Sequence, residues 1–154
     1  MVEEGDIAPD FQLPTDDDSS LELSGLRGAP AVLYFYPKDD TSGCTKEALG
    51  FSDHQKGFAA LGARIVGVSP DSVAKHQKFK AKHGLTITLA ADTEKQVCEL
   101  YGVWVEKSMY GRKYMGVERS TFLIDADGRV AKAWRKVKVP GHVEAVLEAV
   151  KEIQ

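Results

Sequence analysis

Only two of the 154 residues are cysteine, Cys44 and Cys98. Two thiols cannot build the disulfide framework of small secreted domains. The chain therefore reads as a protein of a reducing compartment, with thiols that are reactive or buried. No apolar run approaches the ~20 residues that a helix needs to cross a bilayer. The start, Met1-Val2-Glu3-Glu4-Gly5-Asp6, lacks the basic residues and apolar stretch of a signal peptide, so a soluble cytoplasmic protein is expected. Basic charge is not in excess: 20 Lys and Arg against 23 Asp and Glu leave a net charge of −3. That balance gives no reason to expect nucleic acid as a partner. Repeats, low-complexity tracts and long linkers are missing as well. The four histidines, His54, His76, His83 and His142, show no metal-ligand spacing with the cysteines; they read as surface or helix-end residues, with no metal implied.

What is present is an ordinary globular composition, 43% hydrophobic and 28% charged, in a length that fits one domain over 1–154. Ala31 to Tyr36 is a continuous apolar run closed by Pro37, the pattern of a strand buried on both faces. A helix is expected from about Gly43 to Leu61, capped by Ser42 and ended by Gly62. Arg64 to Ser69 reads as a strand, Ser72 to His83 as a helix stopped by Gly84, and Thr86 to Ala90 as a short strand. Thr93 and Gln96 form a capping-box pattern for a helix ending at Gly102. Tyr110 to Gly116, with two glycines, reads as a mobile loop. Ser120–Asp125 and Arg129–Val137 form a hairpin around Ala126-Asp127-Gly128. In the last helix Val143, Val146, Leu147 and Val150 recur at i, i+3, i+4, i+7 and define one apolar face. Alternating strands and helices imply an α/β fold with a mainly parallel sheet, and the closing strand–strand–helix unit adds an antiparallel edge.

Chemistry is expected at the turn Pro37-Lys38-Asp39-Asp40-Thr41-Ser42-Gly43-Cys44, because sites of open α/β sheets lie beyond the carboxyl ends of strands. Cys44 falls in the first helical turn, where unpaired N–H groups and the helix dipole favour thiolate over thiol. Gly43 permits close backbone approach to a small ligand, and Thr41 offers a hydroxyl within reach of the sulfur. Thiolate alone does not make a fast enzyme. Lowering a thiol's pKa from ~8.5 to ~6 raises its thiolate fraction at pH 7 about thirtyfold, but costs about tenfold in nucleophilicity. The remaining few-fold gain calls for a group that stabilises charge in the transition state, and Arg119, ahead of the strand Ser120–Asp125, is the candidate. The plainer reading of Cys44, a buried structural cysteine, stands beside this one.

These residues resemble the peroxiredoxins, in the bacterioferritin-comigratory or peroxiredoxin Q branch. Pro37, Thr41 and Cys44 match the family's P-x-x-x-T-x-x-C motif within Tyr34-Phe35-Tyr36-Pro37-Lys38-Asp39-Asp40-Thr41. Glu47 also fits, Gly5-Asp6-Ile7-Ala8-Pro9-Asp10-Phe11 resembles the N-terminal signature, and Arg119–Asp125 resembles the segment of the active-site arginine. The resemblance runs from about Gly5 to the last helix. It implies a thioredoxin-like fold, a central mixed sheet flanked by helices, with an N-terminal hairpin extension. It further implies a peroxidase that reduces hydrogen peroxide and organic hydroperoxides through a Cys44 sulfenic acid. Cys44, Thr41 and Arg119 would be catalytic, with Pro37, Gly43 and Glu47 in support and no metal, haem or flavin. The reductant would be thioredoxin, glutaredoxin, glutathione or another thiol, and the enzyme a monomer or weak dimer without nucleic-acid or membrane partners.

Many members of this branch carry the resolving cysteine five residues after the attacking one, on the same helix; that position here is Leu49. A one-cysteine enzyme resolved by an external thiol is expected. The alternatives are resolution by Cys98, otherwise read as a structural cysteine, and a non-catalytic adaptor or holdase on the same fold. A dithiol oxidoreductase would need a cysteine where Thr41 stands. Asp16-Asp17-Asp18 reads as a solvated turn, the basic stretch Arg129 to Lys138 as edge protection or a dock for an acidic reductant, and Trp104 and Trp134 as packing residues.

Overall fold

The structure is a computed structural model and describes residues 1–154. At its centre is β3 (Ala31–Phe35), all five residues of which are buried, as the unbroken apolar run requires. Strand β4 (Arg64–Ser69) and then β5 (Thr88–Ala91) lie parallel to it on one side; β8 (Ser120–Ile124) and then β9 (Val130–Trp134) lie antiparallel on the other. The five-stranded sheet is thus mixed. A hairpin of β1 (Gln12–Pro14) and β2 (Ser20–Glu22) precedes it.

Because β3 side chains alternate, the sheet divides two apolar cores. Val32, Tyr34 and Tyr36 pack with residues of α1 (Ser42–Asp53), α2 (Gln55–Ala60), α3 (Val73–His83) and α5 (His142–Glu152). Leu33 and Phe35 face the opposite way, toward the β1–β2 hairpin and α4 (Gln96–Leu100). On α5 the buried stripe is Val143, Val146, Ala149 and Val150, with Leu147 packed at its margin. The basic strand β9 is an edge of the sheet, as expected.

Several expectations change. The helix expected over 43–61 is two helices broken at His54, whose imidazole bonds Gly50 O at 2.9 Å and competes for that ladder carbonyl. Ser42 lies inside α1, and the cap position belongs to Thr41. Thr93 and Gln96 do not box the start of α4; the Asp92 carboxylate accepts from the N–H groups of Val97 and Cys98 instead. Residues 110–116 are not a loop but part of a hairpin, β6 (Trp104–Met109) with β7 (Arg112–Val117), turned at Tyr110 and Gly111 in left-handed backbone. Asp16 is buried: it accepts from Leu89 N at 2.9 Å and pairs with Lys80 at 2.5 Å. His76 and His142 are buried as well, while His54 and His83 sit at helix ends.

Candidate active site

The antiparallel register of β3 and β8 sets Ser120 opposite Phe35, so the residue before β8 reaches the carboxyl end of β3. That residue is Arg119. Pro37, with no N–H to donate, follows the end of β3, and the turn it opens delivers Cys44 into the first turn of α1. Arg119 Nη2 lies 3.3 Å from Cys44 Sγ, and its Nη1 donates to Glu47 Oε1 at 2.6 Å. Cys44 and Glu47 occupy one face of α1, three residues apart, and both are buried.

The charges of this group are set by burial. Glu47 is fully buried, and its second carboxylate oxygen has no hydrogen-bond partner. Burial pushes its pKa up to about 7 against the opposing pull of Arg119. For Arg119, burial works against the charge, but Glu47 and Cys44 outweigh it and hold the guanidinium more firmly protonated. Lys107, on β6, has its amine's pKa lowered by burial and by Arg119, while Cys44 opposes the shift. His142 donates to or accepts from Thr121 Oγ1 at 2.8 Å; burial, then the positive charge of Arg119, push its pKa down to about 4.

Two expectations about this turn are refined. Gly43 makes room for Arg119: a β carbon there would lie 3.1 Å from Nη2. Thr41 donates its hydroxyl to Lys38 O at 2.9 Å, so it is free toward a ligand only as an acceptor. Leu49 is partly buried in the same core as Cys44. Cys98 is fully buried in the other core, among Leu33, Phe35 and Tyr101, so the sheet stands between the two thiols. Burial, then Asp92, push its thiol well above the ordinary thiol range. Asp39, inside the turn, and its partner His76 were not singled out from the sequence. No local signal marks the pair, which is 37 positions apart.

A family model described as AhpC/TSA matches residues 5–133, and the chain belongs to that family. A putative peroxiredoxin bcp of Coxiella burnetii is 51% identical over 146 residues, covering 95% of this chain and 97% of the relative. Peroxiredoxin Bcp of Bacillus subtilis is 51% identical over 152 residues, 99% of this chain and 97% of the relative. A structure of peroxiredoxin Q from Xanthomonas campestris superposes with a TM-score of 0.91 at 43% identity, covering 99% of this chain and 97% of that one. Within its family the chain is a peroxiredoxin of the bacterioferritin-comigratory and Q branch, a thiol-dependent peroxidase with a peroxide as substrate and a thiol as reductant.

Proposed function

We propose that Cys44 is the attacking sulfur and that the enzyme works with this one cysteine. The observation that carries the reading is the 3.3 Å approach of Arg119 Nη2 to Cys44 Sγ at the start of α1. The approach sets the guanidinium beside the sulfur that attacks. The thiolate attacks one peroxide oxygen; a sulfur–oxygen bond forms as the O–O bond breaks. Sulfur loses two electrons to become sulfenic acid, and the other oxygen leaves as hydroxide or alkoxide, which takes up the proton released when the thiol ionised and departs as water or an alcohol. Arg119 is placed to stabilise charge on the parting oxygens. Thr41, its own proton committed to Lys38 O, is available to accept the O–H of a hydroperoxide. Glu47 orients Arg119 and Gly43 gives it space.

Regeneration is by external thiol. One thiol condenses with the sulfenic acid, releasing water and leaving a mixed disulfide; a second thiol reduces it. Thioredoxin, glutaredoxin and glutathione are the candidate reductants in a cytoplasmic setting, and hydrogen peroxide and organic hydroperoxides the substrates. A single domain over 1–154, as monomer or weak dimer, carries the activity. Resolution by Cys98 would require two Cα atoms within about 7 Å, whereas the two cysteines occupy cores on opposite faces of the sheet.

The test is intact mass after one equivalent of peroxide, without added thiol. External resolution gives a gain of one oxygen on Cys44, trapped by a sulfenate reagent and lost on adding thiol. A loss of two hydrogens that Cys98→Ser prevents would replace this reading with the two-cysteine one. Peroxide consumption by Cys44→Ser at the wild-type rate would remove Cys44 from the mechanism.

A further inference from the structure

The turn 37–41 that leads to Cys44 exposes Lys38, Asp40 and Thr41 but buries Asp39. Three residues hold that carboxylate and its backbone N–H. Tyr36 donates its hydroxyl to Asp39 Oδ1 at 2.5 Å. His76, fully buried on α3, places Nδ1 2.6 Å from Asp39 Oδ2, and its Nε2 lies 2.9 Å from Ala90 O on β5. A carbonyl can only accept, so Nε2 carries a hydrogen; a second proton lies between Nδ1 and Oδ2. Asp39 N donates to Asp71 Oδ2 at 2.7 Å, an oxygen also held by Ser69 Oγ at the end of β4. The next residue, Asp40, has a left-handed backbone and is tied to α3 by Lys82 and His83 at 2.7 and 2.8 Å.

From this geometry we propose that His76 is a positioning residue for the peroxide step. It acts through Asp39, fixing the turn that contains Thr41 and leads to Cys44. The inference rests on the reading of Cys44 as the attacking sulfur. A buried hydrogen-bonded pair adds little net stability, because desolvation offsets the attraction, but removing one partner leaves the other's buried polar atoms unsatisfied. An Asp39 carboxylate left with Tyr36 as its one side-chain donor would turn out toward water and carry the turn with it. The Thr41 hydroxyl, closed onto Lys38 O within the same turn, would move, and so would the Cys44 sulfur relative to Arg119. Reaction rates are sensitive to such displacements: about 1 Å of misplacement can cost 10²-fold.

The experiment is stopped-flow oxidation of Cys44 by hydrogen peroxide in the full-length protein. His76→Gln should lower the second-order rate constant by on the order of tenfold. The double variant Asp39→Asn with His76→Gln, neutral on both sides, should recover to within a few-fold of wild type. Val130→Ala, a cavity variant in the other core, should lower the melting temperature and leave the rate unchanged. A wild-type rate in His76→Gln, or no recovery in the double variant, overturns the proposal. Should His76→Gln not fold, Tyr36→Phe removes a single bond to Asp39; severalfold slowing is expected, and a wild-type rate again overturns it. Trapping the sulfenic acid on Cys44 of these variants keeps the two readings separate. Oxygen gained elsewhere would show that the Cys44 assignment has failed, whatever the rates.

Discussion

Gly43 and Arg119 fit against each other: the space a β carbon would occupy at Gly43 ends 3.1 Å from Arg119 Nη2. The glycine lies one residue before Cys44, so the fit fixes how near the guanidinium can come to the sulfur. Gly43→Ala should push Nη2 away by a few tenths of an ångström and slow sulfenic acid formation by about tenfold. The fold should be retained, because the helical backbone at Gly43 suits alanine. Stopped-flow oxidation with a parallel melting curve checks both halves.

Arg119→Lys keeps the charge and loses the planar fork that serves Cys44 and Glu47 at once. A loss on the order of 10²-fold in the peroxide step is expected, as for removal of an oxyanion donor. A loss under threefold would mean that a point charge suffices.

Stability should respond to pH through Glu47 and His142 with opposite slopes. Glu47 moves from 4.5 to about 7 on folding, so the folded state holds its proton longer and stability falls as pH rises across that window. His142 moves from 6.5 to about 4, so the folded state sheds its proton sooner and stability falls as pH drops from 6.5 toward 4. Each effect is on the order of 3 kcal/mol, less what solvent screening removes at His142. Between pH 4.5 and 6.5 the two should largely cancel. Relative to wild type, Glu47→Gln should gain stability as pH rises toward 7, and His142→Gln as pH falls toward 4. Urea titrations at half-unit steps of pH would show the two difference curves; slopes of one sign for both variants would contradict the assignment.

Asp92→Ala removes the acceptor for the N–H groups of Val97 and Cys98 at the start of α4. A loss of about 1–2 kcal/mol is expected, as for other helix caps. At roughly 2–4 °C per kcal/mol this is a shift of several degrees in melting temperature.

How much of this could be read from the chain depended on whether the signal was local. Gly84 ends α3 in left-handed backbone, as the sequence pattern predicts, while Ser72, read from the sequence as the first helical residue, stands one position earlier and caps the helix through Lys75 N. Arg64–Ser69 was legible to the residue, because its apolar positions are buried nearly throughout. The β6–β7 hairpin was not, since it buries little of either face and so carries no alternation of apolar and polar residues. At the site, the order of Pro37, Thr41, Gly43, Cys44, Glu47 and Arg119 was visible. The closure of Thr41 onto Lys38 and the wedging of Arg119 over Gly43 depend on the folded backbone. His76 looks like one more polar residue of a lysine-rich helix; only the fold makes it the partner of Asp39.

The separation of the two thiols by the central sheet gives the molecule a pair of internal clocks. A thiol reagent too large to enter the folded protein reaches Cys44 whenever the first turns of α1 fray. It reaches Cys98 only when α4 leaves the sheet. Local and global opening follow different free energies, so one labelling time course, resolved by peptide mass, would report both: an early phase at Cys44 and a late phase at Cys98. Each could be followed without introducing a probe.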